Sequence, residues 1–329
     1  MLLEDAMKKI FLLIIILVLL TISLFIFIPS YFSSNQQEAK VTKKIDTIEL
    51  DISNVKTKVI TNNKDKVEAK LKGHGNIHVS KKGDTIEVEY RRPWFRFFNI
   101  FNRTELTISI PENFNNDLVL HIGSGNINFT NMKQMDLNKL DIDLGSGHID
   151  FTNIEKIKLN SLSIDVGSGN TDFTNVGEMD IKELDIDVGS GNLSFNSIQS
   201  VNSQIDISSG NIQIHALHNK KLNLDLSSGN VHIKHYIGKL EADMSSGDLF
   251  VGIDELVDDF NATVNSGLIT LQLPKDSDFS MKGNVSSGRI VNNFPFDQEE
   301  RSGKTLKGVH GSGTHKVHLQ ASSGVIVIE

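Results

Sequence analysis

The sequence predicts an all-β fold, a right-handed parallel β-solenoid of roughly ten coils, on three observations. The first is a repeat. A Ser-Gly pair followed by a short apolar alternation ends at Gly125, Gly147, Gly169, Gly191, Gly210, Gly229, Gly247, Gly267, Gly288 and Gly324. Steps of 18–22 residues separate the first nine, and self-similarity at such a period marks a solenoid. The second is period 2 on both sides of that pair. Ile142, Ile164, Ile186, Ile205 and Leu224 stand five residues before the glycine, and Phe129, Phe151, Phe173 and Phe195 four after it. Apolar and polar positions alternate throughout, which describes two half-buried strands joined by a bend and excludes a helix. The third is the bend itself. Glycine supplies the positive φ of a sharp corner, and Asn126, Asn170, Asn192, Asn211 and Asn230 follow it as the next best tolerated residue. Parallel strands joined by a crossover are nearly always right-handed. A left-handed helix would want strict 18-residue coils, which a single interval matches.

The chain has 329 residues, 39% hydrophobic, and a formal net charge of −8. With no basic stripe against that acidity, nucleic acid is not an expected partner. The absence of cysteine removes disulfides, thiolate catalysis and cysteine metal sites.

In chain order, residues 1–9 read as a cytoplasmic N-terminus, with Met7 a more natural start than Met1. Residues 10–28 are apolar except Thr21 and Ser23, follow Lys8-Lys9, and are long enough for a transmembrane signal anchor. A long cleaved signal is the alternative; either one exports the repeats, and the anchor places the protein in the cell membrane as a single-pass protein with its repeat domain extracytoplasmic. Residues 29–44 are polar and unpatterned, a tether. Residues 45–120 read as β without the clean repeat, an N-terminal cap over the open edge. Gly73-His74-Gly75-Asn76-Ile77 there resembles an eroded corner. Trp94, Phe95, Phe97 and Phe98, mixed with arginine, suit either membrane contact or a plug for the end of the core. Residues 121–329 form the repeat domain.

No motif carries catalysis. Ser302-Gly303-Lys304-Thr305 resembles the tail of a phosphate loop, but Gln298 stands where glycine is required. His215 and His218, like His232 and His235, are three apart, which on a strand sends them to opposite faces and away from a shared metal. More informative is a column four residues before the corner glycine: Asp143, Asp165, Asp187, Asp206, Asp225 and Asp243. It is either a solvated outer face or a ladder for cations, weakly bound calcium among them, or for an envelope ligand. Stacked carboxylates repel, so such a ladder is expected to hold protons more tightly than free aspartate. No metal or cofactor site is assigned beyond it.

Three segments resemble the putative-adhesin family of bacterial β-solenoid proteins, which includes LiaG-like membrane-anchored envelope-stress proteins. They are Leu106-x-Ile108-x-Ile110-Pro111 leading into Gly123-Ser124-Gly125, then Leu271-x-Leu273-Pro274-Lys275-Asp276-Ser277-Asp278-Phe279 leading into Ser286-Ser287-Gly288, and the terminal Gly311-Ser312-Gly313 followed by Ser322-Ser323-Gly324. The resemblance implies a solenoid on an extracytoplasmic anchor with a connection to envelope stress, and it defines no catalytic residues. The function expected is therefore non-enzymatic binding of an envelope polymer or a protein partner. The rivals are a polysaccharide-processing β-helix enzyme and a cytoplasm-facing scaffold that polymerises end to end.

Overall fold

The alternation of apolar and polar residues becomes strand almost without interruption in the computed structural model, which describes residues 11, 13–21, 34–91 and 104–329. At the N-terminal end lie β1 (Ser34–Lys40), β2 (Thr47–Asn62), β3 (Lys66–Lys72), β4 (Asn76–Lys82), β5 (Thr85–Arg91) and β6 (Glu105–Pro111). The regular repeats form β7 (Asp117–Phe129), β8 (Gln134–Leu144), β9 (His148–Val166), β10 (Asn170–Val188), β11 (Asn192–Ile207), β12 (Asn211–Glu255) and β13 (Phe260–Gln272). The chain closes with β14 (Phe279–Val285), β15 (Arg289–Asn292), β16 (Gln298–Ser302), β17 (Thr305–His310), β18 (His315–Ala321) and β19 (Val325–Ile328). The protein is all-β and solenoid-like, as the repeat predicts.

Consecutive coils pair in parallel with equivalent residues side by side: Asp143 with Asp165, Asp187 with Asp206, Ile205 with Leu224. Inward positions therefore stack in columns. The rings of Phe129, Phe151, Phe173 and Phe195 lie nearly parallel at centroid separations of 4.6, 4.2 and 4.9 Å, all of them buried. Truncating one such ring to alanine typically costs about 3–5 kcal/mol.

The corner glycines answer to crowding more than to dihedral angle. Gly147 does sit at φ 110°, but Gly191 lies outside the left-handed region. A Cβ on Gly191 would stand 2.3 Å from the carbonyl oxygen of Gly169 and 2.5 Å from Val166 Cγ1. Those carbonyls are engaged, because the backbone ladder continues around the bend: Asn192 N–H donates to Gly169 at 3.0 Å and Asn211 N–H to Gly191 at 3.0 Å. Asn170, Asn192, Asn211 and Asn230 do not take positive φ either. The non-glycine residues that do, among the described residues, are Asn54, Asn131 and Asn153.

Both ends depart from sequence order. β2 lies between β7 on one side and β5 with β6 on the other, parallel to all three. At the opposite end β18 and β19 form a coil inserted between β13 and the β14–β15 coil. Antiparallel strands then cover the stack: β4 on β5, β3 on β6 and β1 on β3 at one end, β17 on β14 and β16 on β17 at the other. The outer strand β16 is exposed along its length and reads Gln-Glu-Glu-Arg-Ser, a charged edge that resists pairing with another chain.

Three expectations need correction. Among the described residues, no helix is long and apolar enough to cross a membrane. The helical residues described there are 11 and 13–21. Single-pass anchoring in a cell membrane over residues 10–28 is therefore not supported, nor is the extracytoplasmic placement that rested on it. Residues 34–40, within the stretch read as a tether, form β1, because a polar strand needs only backbone partners and β3 supplies them. The Gly73–Ile77 segment is a turn leading into β4, which runs antiparallel to β5 and belongs to the cap rather than to a coil. Trp94, Phe95, Phe97 and Phe98 lie outside the described residues.

Candidate functional site

The aspartate column is built by the strand before each corner, where every second side chain points outward. Asp143, Asp165, Asp187, Asp225 and Asp243 are exposed and Asp206 is half-buried. The register sets Asp143, Asp165, Asp187, Asp206 and Asp225 on successive paired strands. Beyond Asp243 the column turns neutral at Thr263. In the other direction it is headed by His121, which pairs with Asp143 in register. The His121 ring bridges two acids, with Nδ1 3.6 Å from Asp143 Oδ2 and Nε2 3.7 Å from Glu49 Oε1. Sequence reasoning missed His121, although it stands four residues before Gly125 and so occupies the aspartate position of the first copy.

The neighbouring column relieves part of the repulsion. Lys139 Nζ lies 2.6 Å from Asp141, and Lys221 and Lys239 lie 2.8 and 3.0 Å from Glu241, whose carboxyl is held below its ordinary value by those two bonds. Gln204 Nε2 donates to Asp206 at 3.2 Å and to Asp225 at 3.3 Å. Among the described residues Asp165 has neither kind of partner, and partial burial, then the charges of Asp187 and Asp143, push its carboxyl upward. Asp206 is also raised, by burial first and by Asp225 and Asp187, against the lowering effect of the Gln204 bond. The carboxylates stand in single file, and among the described residues no group of three or more His, Cys, Asp or Glu is gathered to hold a metal.

On the other side of the bend the asparagines make a ladder of their own. Asn192 Nδ2 donates to Asn170 Oδ1 at 2.7 Å, Asn211 to Asn192 at 2.9 Å, and Asn230 to Asn211 at 2.7 Å. Asn192 and Asn211 each donate to one neighbour and accept from the next, so asparagine is favoured here for its two-sided side chain. The histidines also pair between coils rather than along the chain. The His215 and His235 ring centroids are 5.1 Å apart, His235 Nδ1 lies 2.8 Å from Asp254 Oδ1, and His232 stacks on Phe250 at 4.3 Å.

Two of the motif segments meet at the C-terminal end. Asp278 accepts from the Gly313 N–H at 2.6 Å, the Thr314 N–H at 3.1 Å, the Thr314 hydroxyl at 2.8 Å and the Ser312 hydroxyl. These bonds, the Ser312 hydroxyl first among them, hold its carboxyl well below the usual carboxylate range. The Asp278 clamp closes the loop that leads into β18. A cleft of about 540 Å³ at the other end is lined by Lys40, Lys43, Asn113, Asn115, Asn116 and a single acid, Asp65. Glycoside hydrolysis ordinarily asks for two carboxyl groups flanking the bond.

A stack of parallel coils, capped at both ends and carrying one polar side chain per coil in each outward column, defines a repeat protein of the toastrack kind. The family model for Toastrack DUF4097 matches residues 45–213 and 155–329, and the chain belongs to that family. None of the curated proteins matches the sequence. Among solved structures, a "putative lipid binding protein" from Parabacteroides distasonis is 15% identical, with 91% of this chain and 98% of that one covered at a TM-score of 0.50. A "putative adhesin" from Parabacteroides merdae is 12% identical, with 91% and 97% covered at a TM-score of 0.46. A second "putative adhesin", from Parabacteroides distasonis, is 12% identical, with 90% and 97% covered at 0.44. At 15% identity the likeness to the lipid binding protein concerns the fold alone. The resemblance to a family of β-solenoid proteins is carried by the Toastrack match, and the narrower LiaG-like likeness rests on the sequence motifs alone.

Proposed function

We propose that this protein is a non-enzymatic, adhesin-like binding protein whose outward columns engage an extended polymer of the cell envelope. The observation that carries this reading is the aspartate column: one carboxylate per coil, repeated in register on successive strands. A surface that repeats at the strand spacing, about 4.8 Å, suits a ligand that also repeats, because each added unit makes the same contact again. The acidity of the column favours a polymer bearing amines or hydroxyls. A connection to envelope stress stands within this reading through the resemblance to LiaG-like proteins.

The test is retention of the full chain on immobilised envelope polysaccharides and peptidoglycan, compared with an Asp143→Asn, Asp187→Asn, Asp225→Asn triple variant. Retention of the wild type and its loss in a folded triple variant are expected. Equal retention of both, or release of soluble sugars during incubation, would overturn the reading, the second outcome in favour of an enzyme.

A further inference from the structure

The Ser302-Gly303-Lys304-Thr305 segment is the tight turn of the β16–β17 hairpin. Ser302 pairs with Thr305, and Gly303 takes φ 57° at the first of the two turn positions. This turn is fastened to the outermost corner of the stack. Lys304 Nζ donates to the Gly288 carbonyl at 3.0 Å, and the Val285 N–H donates to the Lys304 carbonyl at 3.0 Å. Where turn and corner face each other there is an open cavity of about 210 Å³ lined by the exposed side chains of Arg289, Arg301 and Lys304, and no aspartate or glutamate among the described residues lines it.

That is an unusual concentration of positive charge in a chain of net charge −8. Arg301 is compensated, with Nε 2.8 Å from Glu299 Oε1. Arg289 makes no ion pair among the described residues, and Lys304 reaches only a neutral carbonyl. Two uncompensated cations therefore share one small cavity, together with the remaining donors of Arg301. Such an arrangement matches an anion of charge near −2 with several acceptor oxygens. A phosphate monoester carries about −1.5 to −2 at neutral pH, whereas a carboxylate brings a single charge. Arginine forks suit paired phosphate oxygens, and lysine adds a point charge.

We propose that this cavity binds a single phosphate group, free or as a monoester. The site is separate from the aspartate column, and it stands or falls independently of the polymer reading. The experiment is isothermal titration of the full chain at low ionic strength with inorganic phosphate, with glycerol 1-phosphate and with acetate. Arg289→Gln removes a side chain on which no ion pair depends, and Lys58→Gln, on an exposed position of β2, controls for general charge. Saturable binding of either phosphate, weakened about tenfold or more by Arg289→Gln and unchanged by Lys58→Gln, is the expected result. The stronger of the two ligands identifies the source as free or esterified. Melting in the absence of ligand should be the same for wild type and Arg289→Gln, which separates lost binding from lost folding. Failure of millimolar phosphate to bind, acetate binding as well as phosphate, or equal weakening in the Lys58→Gln control would overturn the proposal.

Discussion

Thr171 occupies a core position that the coils around it fill with hydrocarbon: Ile127, Ile149, Leu193, Ile212 and Val231 stand at the same place relative to the corner. It is 1% exposed, and its hydroxyl finds no partner among the described residues. A buried hydroxyl without a hydrogen bond costs about 1–3 kcal/mol, and valine has nearly the same shape without that cost. Thr171→Val should therefore raise stability by about 1 kcal/mol in denaturant melts; a lowered midpoint would mean the hydroxyl is satisfied. The inward columns were legible because period 2 is a local property of the sequence. The reason for the asparagines was not, since an amide that bonds to the next coil is recognised only when the coils are stacked. The available signal was the same residue type returning at a fixed offset, and His121 carried the same signal at the aspartate offset.

The aspartate column and the Asp278 clamp respond to acid in opposite directions. Asp165 and Asp206 bind protons more tightly when folded, so their ionisation costs stability. That cost is fully present above the folded pKa and is relieved as the pH falls through it toward the ordinary value of 3.8. Asp278 is depressed, so its contribution is present above the ordinary value and is lost as the pH falls through the folded pKa. Melting temperature should rise on mild acidification, and the 311–314 loop should loosen in strong acid. Replacing Asp165 and Asp206 by Asn should raise the neutral-pH melting temperature and flatten the mild-acid gain. A double variant that melts lower, or that keeps the gain, would contradict the assignment. Asp278→Asn should instead speed amide exchange in the 311–314 loop and in β14 while leaving exchange in β9 to β11 unchanged. The column's sequence pattern announced the first behaviour. The clamp was visible only as two separate motifs, because the fold has to bring residues 278 and 312–314 together.

At the scale of the whole molecule, the repeat revealed the stack but not its order. Ser322-Ser323-Gly324 reads as one more corner at the far end, yet it sits beside Gly267, with the Ser322 N–H donating to the Val264 carbonyl at 2.9 Å. Gly288, earlier in the chain, lies outside it. Nothing local distinguishes these two orders, since both bury the same columns. The choice belongs to the caps: β14 takes β17 on its outer side and leaves its inner side to β18. A ribosome delivers β14 before the strand that must lie between it and β13. The coils from β7 to β13 can add one upon another as they emerge, but the far end has to wait for β18 and β19. Until those strands are made, β13 keeps an open edge and β14 has no inner neighbour. β18 and β19 act as the closing piece of the assembly, and a truncation ahead of His315 would remove the seam that joins the cap to the stack.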